Sequence, residues 1–143
     1  MNAKQLEKYS FWWSEIRLII AAVALLIGGV PPIFLIAPPS MSALTVLGLK
    51  TAWVISGLAS GYLLYRWYDG GQKVFGGKDH KDTLAFLVLV ISGLNLGFTG
   101  VFGRNLGMAI TTNRVVFLIV AAIYAYVAWH LWTRAKKHGG RLL

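Results

Sequence analysis

Long apolar runs separated by short polar segments set the plan of this chain. Four stretches, about 16–37, 44–65, 83–103 and 115–133, reach the roughly twenty apolar residues that a helix needs to cross a bilayer. They predict an all-α fold: a polytopic, four-transmembrane-helix bundle forming one membrane domain over 1–143. Before the first stretch, Leu6, Tyr9, Trp13 and Ile16 recur at helical spacing, while Lys4, Glu7 and Lys8 lie elsewhere around the wheel. That pattern predicts an interfacial amphipathic N-terminal helix over 2–15, its apolar face in the headgroup region. The first span reads as an uncleaved signal anchor, being too long and too acidic at its start for a cleaved leader.

Prolines and glycines punctuate the runs. Pro31-Pro32 and Pro38-Pro39 remove backbone donors, so the first helix is expected to kink or end near Val30. The segment 66–82 is rich in glycine and charge and reads as a mobile cytoplasmic loop, with Asp82 capping the helix after it. Its Gly76-Gly77-Lys78-Asp79 is no phosphate loop. Gln72 stands where the first glycine is required, and Asp79 where Ser or Thr is. The residues 134–143 form a basic tail.

Composition confirms the class and adds orientation. At 143 residues, 57% hydrophobic and 13% charged, the chain has more apolar surface than a small soluble domain can hide. Fourteen Lys and Arg oppose five Asp and Glu, for a net charge of +9. These bases lie between spans and form no nucleic-acid surface. Lys4, Lys8, Arg17, Arg66, Lys73, Lys78, Lys81, Arg134, Lys136, Lys137 and Arg141 fall on one side of a four-span topology. Lys50, Arg104 and Arg114 fall on the other. By the positive-inside rule both termini are expected in the cytoplasm, against anionic lipid headgroups, in a bacterial or archaeal cytoplasmic membrane. Trp12, Trp13, Trp67, Trp129 and Trp132 gather at the same edge. The absence of cysteine excludes disulfides, thiolate metal sites and iron–sulfur clusters.

Few polar residues lie within the spans. Ser92, Asn95 and Thr99 share one face of the third and could line a polar pathway or bind a neighbouring helix. Gly93, Gly97 and Gly100 leave a groove beside them. Ser56, Gly57, Ser60 and Gly61 give the second span a matching small-residue surface, so these two helices are expected to pack closely. Lys50, Arg104 and Arg114 are candidates for a basic outer vestibule. Glu15 is expected at the inner edge, paired with a loop base such as Arg66. His130, sharing a face with Tyr126 and Arg134, stands without the second ligand that haem or a metal would need, and no cofactor is expected.

Leu49-Lys50-Thr51, with the span that runs on to Arg66, resembles the lysine-entering helix of copper-resistance D-type four-helix membrane proteins over less than a sixth of the chain. Met41 and Met108 are the outer-side sulfur atoms that copper would favour. No residue role follows from this likeness. With no catalytic constellation and no soluble domain, the expected role is a subunit or assembly component of a membrane complex. The alternative is a self-assembling channel or carrier for a small solute, anions included. Either a homo-oligomer or other membrane subunits would then be the partners. A lipid-modifying enzyme would have to use Asp69, Asp79, His80 and Asp82.

Overall fold

A computed structural model describes residues 2–143. Its frame is four long helices: α1 (Ala3–Leu26), α3 (Ser42–Asp69), α4 (His80–Phe102) and α6 (Arg114–Lys137). All four are long and apolar enough to cross a membrane, and the chain is an integral membrane protein of the four-helix-bundle class. The 24 residues of α1 extend about 36 Å at 1.5 Å per residue, more than the hydrocarbon core. The two short helices α2 (Ile33–Ile36) and α5 (Leu106–Ile110) and a 3₁₀ turn (Pro39–Met41) lie in the connections at one end, the distal end. Both chain termini lie at the opposite, terminal end.

The helix boundaries have local causes. Asn2 and Gln5 form a reciprocal capping box that starts α1. No glycine or proline interrupts residues 3–26, so residues 3–15 run without a break into the first span. They form the first half of one continuous helix. Gly28 (φ 99°) and Gly29 (φ 84°) adopt left-handed conformations that end α1 ahead of the prolines, eleven residues before 37. Asp79 accepts hydrogen bonds from the amides of Lys81 and Asp82 and is the N-cap of α4. Asp82, expected in that role, lies within the first turn of the helix. Its carboxylate is buried.

The core sits in the terminal half. Phe11, Leu18, Leu63, Phe86, Leu89 and Leu131 are fully buried there. Loop and tail seal this end. Val74 is 0% and Phe75 8% exposed, so the glycine-rich loop is anchored by its apolar pair and is not a free strap. The Phe75 amide donates to the Leu142 carbonyl, the Phe75 ring stacks on His138, and Leu142 is buried. Glu7 bridges three segments: its carboxylate accepts from Arg66 at 3.3 Å and from the Leu143 amide at 3.2 Å. Arg66 therefore pairs with Glu7, not Glu15.

The distal half is built differently. α3 and α4 stay in contact because they lack side chains where they cross. A methyl added to Gly97 would sit 2.5 Å from the Gly57 Cα, and one on Gly100 would sit 2.9 Å from the Lys50 carbonyl oxygen. Gly93 lies against Ser60. α1 and α6 form a second pair through Ala22, Ala121 and Phe117, closed by Arg114, whose Nη2 donates to the Leu26 carbonyl. Cross-links from α1 to α3 run from Ala3–Tyr62 through Glu7–Arg66 to Trp13–Ser56, and no hydrogen bond joins them beyond Trp13 among the described residues. Distal to that point the pairs diverge.

Candidate functional site

The divergence leaves a cavity of about 1070 Å³ between α1 and α3, with α4 and α6 behind it. Ile20, Leu49, Trp53 and Val120 contribute to its apolar walls; α2, Met41 and the segment through Gly107 and Met108 line its distal part. That volume lies just above the roughly 300–1,000 Å³ of small-molecule sites.

Polar groups concentrate where the cavity ends. Arg17 is 7% exposed; Nη1 donates to Ser92 Oγ at 2.8 Å and Nη2 to the Leu89 carbonyl at 2.7 Å, while Nε has no partner. Trp13 Nε1 donates to Ser56 Oγ at 3.0 Å, and Ser56 donates onward to the Ala52 carbonyl. Tyr124 completes the floor. These residues sit near the midpoints of their helices: α1 is centred between Ser14 and Glu15, α3 at Ile55–Ser56, α4 at Ile91 and α6 at Ala125–Tyr126. Arg17 therefore lies near the middle of a helix long enough to cross a membrane, buried inside the bundle. An intramembrane charge is costly to bury, and such residues generally face a bundle interior and a function.

Arg17 and Glu15 are the residues that the sequence reading misplaced. Reading 2–15 as a surface helix puts both at the interface. The usable signal was the unbroken helical run after Lys8, which puts Arg17 near the middle of a membrane-length helix. Glu15 is 1% exposed, both its carboxylate oxygens lack a hydrogen-bond partner, and it does not line the cavity. Ser14 and Ser60 are likewise buried with unpartnered hydroxyls.

Ser92, Asn95 and Thr99 all line the cavity, with unequal roles. Ser92 holds Arg17. Thr99 donates to the Asn95 carbonyl of its own helix. Asn95 holds the distal connection: Nδ2 donates to Asn105 Oδ1 at 3.0 Å, and Oδ1 accepts from the Leu106 amide at 2.9 Å. Asn105 Oδ1 also accepts from the Met108 amide, so the two side-chain amides fold residues 103–110 back over the cavity. Replacing Asn95 with Ala removes both bonds, each worth about 1 kcal/mol. Hydrogen–deuterium exchange at 105–110 is expected to speed up by about thirtyfold. Unchanged protection would show that other contacts hold this segment.

The three distal bases do not contribute. Lys50 and Arg104 are exposed, Arg114 caps α1, and none lines the cavity. Their separation follows from their positions: Lys50 lies on the outer surface of α3, and Arg104 follows the left-handed turn at Gly103. Nearer the terminal end, Asp82 accepts two hydrogen bonds from Arg134 Nε at 3.0 Å and one from Nη2 at 2.5 Å, and its Oδ1 lies 2.8 Å from His130 Nε2. That cluster staples α4 to α6. No group of three or more His, Cys, Asp or Glu is placed to hold a metal ion among the described residues.

Fold and site together define a polytopic membrane protein whose four-helix bundle is closed at the terminal end and hollow distally, with an arginine at the floor of the hollow. Comparison with protein-family models, curated proteins and solved structures finds no match.

Proposed function

We propose that this protein is a membrane-embedded binding protein for an amphipathic molecule, which it holds in the distal cavity. The observation that carries this reading is the cavity itself: apolar walls of ligand-site size ending on one buried, partly unengaged cation. A bundle evolved only to pack would gain by closing that space, since empty apolar volume costs stability. Without Arg17, the base count is ten at the terminal end against three at the distal end, which supports a cytoplasmic terminal end and a cavity facing outward.

Gly48 provides the test. It lines the cavity, and an added Cβ there meets nothing within 4 Å. Gly48→Trp is expected to fill the space while leaving the bundle intact. Wild-type protein extracted with its surrounding lipid should carry a small amphiphile near one per chain by mass spectrometry. The variant should lose most of it, about tenfold or more by the energetics of an occluded apolar contact. Equal occupancy in both would refute the cavity as the binding site.

A second reading, a subunit of a membrane complex, draws on α3. That helix buries only Ser56, Ser60 and Leu63 completely and leaves Leu44, Leu47 and Leu58 exposed. A stoichiometric second protein in the same spectra, with no small molecule, would favour it.

A further inference from the structure

The reading of a ligand-binding cavity leaves open what sort of head group the ligand carries. The free hydrogen-bonding capacity at the floor answers this, because its charged part is all donor. Trp13 spends its indole N–H on Ser56, and Ser56 and Ser92 each both donate to a backbone carbonyl and accept from the pair Trp13 and Arg17. All three side chains are engaged. Beside one further lone pair on each serine oxygen, what remains is charged donor capacity: a guanidinium has five N–H groups, of which Arg17 commits two. Tyr124 adds a hydroxyl that makes no hydrogen bond among the described residues.

An oxygen acceptor is therefore needed, and a cation makes it a charged one. A carboxylate partner from the protein would remove that need. The nearest candidate in sequence, Glu15, attracts Arg17 through space, but it makes no hydrogen bond to it and does not line the cavity. A guanidinium presents a planar fork that suits carboxylate and phosphate alike, and hydrogen bonds between ionised partners are about twice as strong as neutral ones. The walls above the fork are Ile, Leu, Val and Trp along α1 and its neighbours, and from Arg17 to Leu26 the helix rises about 14 Å. That geometry suits one extended hydrocarbon chain with its head buried.

We infer that the cavity binds a chain-bearing oxyanion, its carboxylate or phosphate seated on Arg17 and its hydrocarbon running toward the distal end. This rests on the binding role proposed above and adds the chemistry of the head. Arg17 is the recognition residue, Tyr124 a second donor, and Ser92 and Leu89 hold the guanidinium in place.

The test uses full-length protein in phosphatidylcholine nanodiscs. Trp13 and Trp53 line the cavity and report on occupancy. Dibromostearate, which quenches tryptophan on contact, is titrated beside its methyl ester; the two share a tail and differ in head charge. The acid is expected to bind at least tenfold more tightly than the ester, the effect of a charge-assisted pair. Arg17→Gln should erase that preference, and Arg17→Lys should keep part of it. Displacement by hexadecyl phosphate and by palmitate then separates the two head groups: stronger displacement by either supports an oxyanion site and names its kind. Displacement by neither overturns the proposal. Equal binding of acid and ester to wild type also overturns it while leaving the binding reading standing, whereas no saturable quenching by either removes both. The wild-type comparison needs no variant to fold.

Discussion

Gly97→Leu is expected to cost the bundle about 3 kcal/mol or more, the upper range for forcing bulk into a packed site. The reason is contact between backbones. The Cα of Gly57 lies 2.5 Å from where a Gly97 Cβ would stand, and a backbone atom cannot swing aside as a side chain can. α3 and α4 would have to separate along their whole distal half, taking with them the Gly100–Lys50 contact. Even Gly97→Ala should destabilise, although alanine is the better helix former by about 1 kcal/mol. Gly48→Ala, where nothing lies within 4 Å, should be neutral or stabilising by that same preference. Thermal unfolding in one detergent compares the three proteins directly. Equal melting temperatures for Gly97→Ala and Gly48→Ala would contradict the close crossing.

Asp82→Ala is expected to be the second severe change, by about 2–3 kcal/mol. Breaking an enclosed ion pair leaves its partner charged and unsatisfied, at a cost of about 3–5 kcal/mol when the partner is fully buried. The Arg134 side chain is 34% exposed and retains some water, which lowers the figure. His130 also loses its only carboxylate contact. Asp82→Asn should fall between, keeping an acceptor while losing the charge. The diagnostic measurement is a double-mutant cycle with Arg134→Ala: the combined loss should be clearly smaller than the two single losses added together. Full additivity would mean that the two residues act independently.

The fold was legible because its strongest signal, apolar runs of membrane length, depends on local composition alone. The close approach of α3 and α4 was also legible, since glycine at helical spacing marks where backbones meet whatever the partner. Boundaries were harder. The prolines drew attention to residues 31–39, but Gly28 and Gly29 ended the helix first by taking backbone angles that a side chain disfavours. The loop 66–82 reads as mobile from its glycines, and the structure fixes it through Val74 and Phe75, which are covered by residues distant in sequence, among them His138 and Leu142. Pairings of that range leave no trace in a one-dimensional pattern.

The site shows the same division. Ser92, Asn95 and Thr99 stood out as polar residues in an apolar helix, and all three face the cavity. Their separate tasks depend on what the rest of the chain brings to them: Arg17 from α1 to Ser92, and the returning connection to Asn95. The grouping of Lys50, Arg104 and Arg114 came from shared depth alone, which says nothing of direction around each helix.

The sealed terminal half limits what the hollow distal half can do. With Phe11, Phe86, Leu89 and Leu131 packed beneath Arg17, and the loop and tail folded across the end, the cavity has a floor and no exit below it. A molecule held in the cavity would find the way toward the terminal end blocked. If the cavity holds a ligand as proposed, it is a harbour closed toward the terminal end: onward passage that way would require the best-packed part of the molecule to open.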